Sequence, residues 1–475
     1  MVHSSQLGQE LATGAERKAA PSPGAVLAVL SAAAFMASMD VFIVNVAFTD
    51  IGRDFRGESV SDLSWVLNSY AIVYAALLVP LGRLSDRYGR KAGFLTGLAA
   101  FTLASAACAL SPGLWWLVAC RVLQAAGAAA LTPASLGLLL NATPAERRSR
   151  AVRIWATSGS LAAAAGPVIG GLLVQISWQW VFIVNVPIGV LAFIAAARVV
   201  PDSREVGTPK LPDLTAAAVL AVAIAALALA LVEGPDWGWG APRSVIAYLV
   251  SAAAGAVFAY RTLTHPVPVV EPSLLKVRAF AWSNITALLF SVAFAGSLLA
   301  TILWMQDVWG FSALKAGLCV APSPLMVPVF AVLSQRYAPR VRVGLVAAAG
   351  CVLAGIGSLV MAASVGAAPR YASEILPGWM LAGAGVGLAL PTILSAATVD
   401  LPPDRSATGS AVVNMSRQIG FVLGVSVLVA ILGTPHGFGA VHQNFQHAWW
   451  AIGVCAITAA VAAIGMTPRR TKEPA

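Results

Sequence analysis

Asp40 and Arg121 are charged side chains set inside long apolar stretches, where insertion into lipid costs at least about 2.5–3.5 kcal/mol per charge. Opposite charges at one membrane depth can pair, and pairing favours the ionised carboxylate while it lasts. If the pair opens to water on one side at a time, the aspartate can take a proton from one face and release it to the other. That is the minimum chemistry for coupling a solute to a proton gradient. The alternative is a static ion pair that only joins two helices. Gln124, three residues after Arg121 and on the same helical face, is placed to orient it. Arg417 is a further intramembrane charge, flanked by Asn414 and Gln418; it sits either near mid-membrane or with its head drawn toward the cytoplasm. Asn185 and Asn284 add hydrogen-bonding groups in other apolar runs, and Gln306 and Asp307 close another at its outer end.

Membrane-spanning helices must carry these groups. The chain has 475 residues, is 59% hydrophobic and 11% charged, and has a mean hydropathy of +0.81. That is more apolar surface than a water-soluble core of this size can bury. One crossing needs about 20 apolar residues. Fourteen segments qualify, at roughly 24–48, 62–82, 92–110, 113–140, 152–175, 179–200, 213–233, 244–262, 281–305, 313–335, 342–365, 374–398, 406–432 and 446–467. On this reading Asp40 and Arg121 each lie eight residues from the outer end of their span, about 12 Å deep.

Most of the 30 lysines and arginines fall in the tails and even-numbered loops, whereas Arg53, Arg56, Arg243, Lys315 and Arg370 fall in the others. This asymmetry puts both termini in the cytoplasm. The net charge of +10 is therefore a topology signal, and no nucleic-acid partner is expected. The polar N-terminus reads as a tail and not a signal peptide, because the apolar run after it is too long. Residues 214–232 and 245–260 are unusually plain, with Thr215, Ser251 and two tyrosines as their polar side chains; this pair is expected to face lipid. The organisation is thus a tail at 1–23, a six-helix bundle at 24–200, a linker with two extra helices at 201–262, a second bundle at 263–467 and a tail at 468–475. Five scattered cysteines and five histidines assigned to tails or loops (His3, His265, His436, His442, His447) show no metal-binding or hydrolase spacing. No enzyme activity and no cofactor are expected, with protons as the coupling ion.

Two further patterns carry information. Between spans two and three runs Gly82-Arg-Leu-Ser-Asp86-Arg87-Tyr-Gly89-Arg90-Lys91, a tight basic loop in which Gly82 and Gly89 suit sharp turns. A weak echo, Arg336-Tyr337 followed by Arg340 and Arg342, stands at the equivalent place in the second half. In span five, Gly159, Gly166 and Gly170 share a face that lets another helix approach closely, Gly171 follows directly, and Pro167 kinks the helix.

Together these residues resemble the major facilitator superfamily, and within it the fourteen-helix drug–proton antiporters. The Gly82–Lys91 loop matches that family's loop between spans two and three. Arg121-x-x-Gln124-x-x-Gly127 resembles its proton-translocation motif, and Gly166-Pro167-x-x-Gly170-Gly171 its antiporter motif. Met39-Asp40 with Val44-Asn45-Val46-Ala47, and Trp178 through Asn185 to Gly189, resemble its first- and sixth-span patterns; Arg417-Gln-Ile-Gly420 adds to the likeness. Ala125 and Ala162 stand where glycine is usual; both are small, so packing survives. The resemblance implies an all-α integral membrane protein with the major facilitator fold, two six-helix bundles plus two extra helices. It implies a monomer in the bacterial cytoplasmic membrane, exporting a small lipophilic or cationic compound in exchange for protons, with membrane lipid around it. It also implies that Asp86 caps the facing end of the helix bearing Arg417, with Arg87 and Arg90 holding a gate. Asn45, Tyr74, Asn284, Phe294 and Arg417 are the expected cavity residues, and Trp65, Trp304 and Trp309 the expected interface anchors. An importer or uniporter of the same fold and a transport-dead receptor or scaffold are the competing readings.

Overall fold

A computed structural model describes residues 22–55, 57–204, 211–337, 341–402, 405–435 and 437–467. Nearly all of both expected tails, together with Arg56, His436 and Arg340, lies outside these residues. Fourteen helices are long and apolar enough to cross a membrane. They are α1 (Pro23–Asp54), α2 (Val60–Tyr88), α3 (Arg90–Ala109), α4 (Leu114–Ala142), α5 (Glu146–Val174), α6 (Trp180–Val199), α7 (Leu214–Val232), α8 (Pro242–Thr264), α9 (Arg278–Val308), α10 (Ala313–Arg336), α11 (Val343–Ser364), α12 (Leu376–Val399), α13 (Thr408–Leu432) and α14 (Phe438–Ile464).

One local expectation fails at the α2–α3 hairpin. Helix α2 runs on to Tyr88, so the connection is Gly89 alone, at φ +119°, a backbone region that strains any residue with a Cβ. Gly82 is not a turn residue. It lies inside α2, where a Cβ would stand 3.2 Å from Pro133 of α4; its role is close approach. The side of the molecule bearing Gly89 is called the hairpin side below, and the opposite one the far side.

The two sets of six helices pair in the same pattern. In the first, α1 packs on α5 and α6, α2 on α4, and α3 on α4 and α6; in the second, α9 packs on α13 and α14, α10 on α12, and α11 on α12 and α14. A close glycine crossing recurs as well. A Cβ on Gly97 of α3 would lie 2.8 Å from the Gly127 carbonyl oxygen of α4, and one on Gly350 of α11 would lie 2.6 Å from that of Gly385 in α12. This glycine pairing is a stronger internal repeat than the arginine loop, and repeated six-helix halves are the plan of many secondary transporters.

The two plain helices behave differently from each other. Helix α8 packs on α7 and is otherwise largely exposed, as a lipid-facing helix should be. Helix α7 is partly buried, because it lies along the seam where α2 meets α13 and touches both. Its alanine-rich side, including Ala216, Ala217 and Ala228, admits that contact. The expectation that both face lipid is corrected for α7. Its start is held by Asp213, whose carboxylate caps the Ala216 N–H at 2.9 Å and takes both Nε and Nη2 of Arg261, at 2.9 and 2.8 Å, from the end of α8.

Helix α14 starts at Phe438, earlier than hydropathy suggested, so His442 and His447 are helical and not in a loop. The polar first turns are helical because Phe438, His442 and Phe445 pack around Trp304 at ring distances of 6.4, 5.6 and 5.1 Å. Trp304 is completely buried and Trp309 nearly so; both belong to this far-side aromatic core and neither is an interface anchor.

Burial of Asp213 opposes its charge, but hydrogen bonds from Arg261 and the Ala216 N–H, with the charge of His265, outweigh it and hold the carboxyl below the usual range. A lowered carboxyl stabilises the fold above the unfolded value of about 3.9 and loses that contribution as pH falls through the folded value. Asp213→Ala is expected to lower the melting temperature in detergent, losing about 1 kcal/mol from the cap alone. The gap from wild type should be constant near neutral pH and close below about pH 4.

Candidate functional site

Asp40, halfway along α1, is wholly buried, as is Arg121 of α4. Arg121 Nη1 donates to Asp40 Oδ2 at 2.5 Å and to Gln124 Oε1 at 2.6 Å. Gln124 Nε2 donates to Asp40 Oδ1 at 2.8 Å, and Asn185 Nδ2 of α6 donates to the same oxygen at 2.9 Å. Ser105 of α3 accepts from both Gln124 and Asn185, at 2.6 and 3.2 Å. Two helices, α4 and α6, therefore converge on the carboxylate of α1, with α3 holding the two amides. Each hydrogen bond at Asp40 is one that the carboxylate accepts.

The surrounding sequence explains how Asn185 arrives there. Trp178 Nε1 donates to Asp54 Oδ2 at 2.6 Å, tying the turn before α6 to the end of α1. One turn beyond Asn185, Gly189 lies against Thr102 of α3, where any Cβ would collide. Together they bring α6 close enough to α1 and α3 for an amide to reach Asp40. Helix α5 approaches α1 from another side. A Cβ on Gly166 would meet Phe42 at 3.0 Å, and one on Gly170 would meet Ile43 at 2.7 Å. Beyond Pro167 the same motif turns to the second half. A Cβ on Gly171 would lie 2.5 Å from Leu314 Cα of α10, and one on Gly317 would collide with the Pro167 carbonyl. Gly159 makes no such tight contact, its nearest neighbour being Ser38 at 3.7 Å. The motif thus serves two interfaces: α1 against α5, and α5 against α10. The second, with the Gln306 Nε2 bond to Val46 O at 3.0 Å, joins the halves on the far side.

A small cavity lies between the halves, bordered by Phe42, Asn45, Asn68, Tyr70, Arg121, Gln418 and Phe421 among others. Phe294 meets Phe42 and Phe421 edge to face, at 6.5 and 5.8 Å, and so joins its wall. Of the five residues expected there, Asn45 lines it and Phe294 backs it. Tyr74 stands behind Tyr70, stacked on it at 6.0 Å. Asn284 instead ties α9 to α13, accepting from Ser416 Oγ at 2.8 Å. Arg417 is partly buried, its Nη1 donating to Asn414 Oδ1 at 3.0 Å. The sequence reading missed Phe42, Asn68, Ser105, Gln418 and Phe421 as site residues. In the sequence Gln418 stands out only as a neighbour of Arg417, and Phe421 follows Arg417 at helical spacing, a signal that was available.

At the hairpin, Asp86 accepts from Arg90 Nε at 2.6 Å, and α13 begins without a side-chain cap among the described residues. Arg87 stacks over the Tyr88 ring at 5.5 Å. The connection toward the second half is made by a residue outside the expected set: Arg83 donates to Pro268 O at 2.8 Å and to Glu271 at 3.1 Å, in the segment before α9.

Two matching six-helix sets about a central cavity, with an ion pair buried at its edge, define a membrane transporter of the secondary type. The chain belongs to the Major Facilitator Superfamily, whose family model matches residues 30–425. It is 32% identical over 418 residues to the methylenomycin A resistance protein of Streptomyces coelicolor, covering 88% of this chain and 87% of that one. It is also 32% identical over 401 residues to multidrug resistance protein Stp of Mycobacterium tuberculosis, with 84% and 74% covered. The tetracenomycin C resistance and export protein of Streptomyces glaucescens is 28% identical over 422 residues, with 87% and 77% covered. Among solved structures, a POT family transporter in complex with 5-aminolevulinic acid superposes with a TM-score of 0.69 at 16% identity, over 94% of this chain and 96% of that one; at such identity the likeness concerns the fold. The protein is a multi-pass membrane transporter and not an enzyme.

Asn185→Leu removes one donor from Asp40 and leaves Ser105 with one partner fewer. A loss of about 1–3 kcal/mol is expected, measured as a lower melting temperature, whereas Asn185→Gln should recover part of it.

Proposed function

We propose that this protein exports a small lipophilic, antibiotic-like compound across the bacterial cytoplasmic membrane in exchange for protons, by alternating access. The hairpin side and both termini face the cytoplasm, following the basic loops, and the transporter works as a monomer in lipid. One observation carries the reading: Arg121 both holds Asp40 and borders the central cavity. A proton that neutralises Asp40 releases Arg121, and a moved Arg121 changes the cavity wall. The roles for which the relatives are named, resistance and export, support the outward direction for the solute.

In the conformation described, the halves meet on the far side through α5 and α10. Opening that side requires the Gly171–Leu314 and Gly317–Pro167 contacts to separate. Both contacts continue the helix that packs beside Asp40, so protonation at Asp40 and separation of the halves act on one rigid element. With the far side open, Asp40 takes a proton and the solute leaves. With the hairpin side open, the proton departs, the Arg121 pair re-forms and a new solute enters.

Ethidium and a panel of antibiotics, tested in a pump-depleted host with and without a protonophore, provide the transport assay. Asp40→Asn is expected to abolish gradient-driven efflux while solute exchange across vesicles without a gradient persists. Full gradient-driven efflux by that variant would overturn the proposal.

A further inference from the structure

The cavity wall offers no negative side chain to a solute. Among its described lining residues there is no aspartate or glutamate, and the one ionised group, Arg121, belongs to the Asp40 pair. The face of Tyr70, the natural seat for a cationic solute, is already covered by Arg121, whose Cζ stands 4.2 Å from the ring centroid. Arg417 adds a second positive charge. It shares a helical face of α13 with Phe421 of the cavity wall and lies one turn nearer the hairpin side. No carboxylate pairs with it among the described residues: Nη1 is held by Asn414, and Nε is buried without a partner. Across the seam, Tyr74 lies within reach of its charge.

A guanidinium withdrawn from water without a counter-ion is costly unless some state supplies one. Asp40 cannot, because its oxygens are occupied by Arg121, Gln124 and Asn185. We propose that Arg417 receives an acidic group, a carboxylate or an equivalent oxyanion, on the transported compound, whose apolar body lies against Phe42, Phe294 and Phe421. The guanidinium fork suits a planar carboxylate, with the free Nε–H and a neighbouring Nη–H as paired donors. This rests on the export reading for the word "transported" and replaces the expected cationic solute with a lipophilic acid. The same chemistry is offered by a lipid phosphate, and the test separates the two.

The probes are fluorescein, a planar lipophilic anion, and ethidium, a planar cation. Binding to the purified full-length chain is measured by quenching of tryptophan fluorescence in zwitterionic-lipid nanodiscs, and again in nanodiscs containing phosphatidylglycerol. Wild type is expected to bind fluorescein with equal affinity in both lipids. Arg417→Gln should weaken fluorescein at least tenfold and leave ethidium unchanged. Should that variant fail to fold, Arg417→Lys decides, because it keeps the charge but loses the fork; an affinity about threefold lower for fluorescein alone is expected. Wild-type fluorescein affinity in both variants, or a wild type that binds ethidium and not fluorescein, overturns the proposal. Displacement of fluorescein by phosphatidylglycerol also overturns it and assigns the site to lipid. Equilibrium binding needs no gradient, so failure of the proton-coupled export reading would appear in the efflux assay and leave this result standing.

Discussion

The buried pair of Asp40 and Arg121 is the constraint around which the first half is arranged. Two charges withdrawn from water are tolerated only if their mutual attraction is joined by hydrogen bonds to the remaining lone pairs and N–H groups. Here Gln124 and Asn185 complete the carboxylate, while the Val66 carbonyl and the Tyr70 ring occupy the guanidinium. Meeting those demands fixes the relative positions of α1, α2, α4 and α6. It also explains why glycine is needed at 189, where α6 must come near α3.

Close helix approach is the second theme, and it has the same physical origin. Helices surrounded by lipid gain nothing from hydrophobic burial against one another, so association relies on dense packing of small side chains. The crossings of Gly97 with Gly127 and of Gly350 with Gly385 repeat this solution in both halves. The span-five motif uses it twice, inward against α1 and across the seam against α10. That dual contact places the joint between the halves on the helix that flanks the buried ion pair. Helix α7 adds a third surface to the seam by lying along α2 and α13, which gives one of the two extra helices a structural role beyond lipid contact.

The intramembrane charges are unevenly paired. Asp40 and Arg121 neutralise each other, leaving Arg417 as the excess positive charge beside an aromatic cavity. Tyr70 and Tyr74, stacked with planes 9° apart, stand between the two guanidinium groups.

The amino-acid sequence by itself determined the membrane class, the fourteen crossings and the equal depth of Asp40 and Arg121. Those properties follow from local sums of hydropathy and from a rise of about 1.5 Å per residue, which need no knowledge of neighbours. The hairpin, the Arg121–Gln124 motif and the glycine motif were legible for the same reason, since each is contiguous. Only the tertiary structure decided which groups meet across the chain. Asn185 reaches Asp40 over 145 positions, Arg83 reaches Glu271 over 188, and Gly82 proves to be a packing residue because Pro133 lies opposite. Trp304 and the first turns of α14 were misread because burial in an aromatic core and anchoring at a membrane surface have the same composition. Helix periodicity tells which residues share a face; what that face meets is set by the packing of the other thirteen helices.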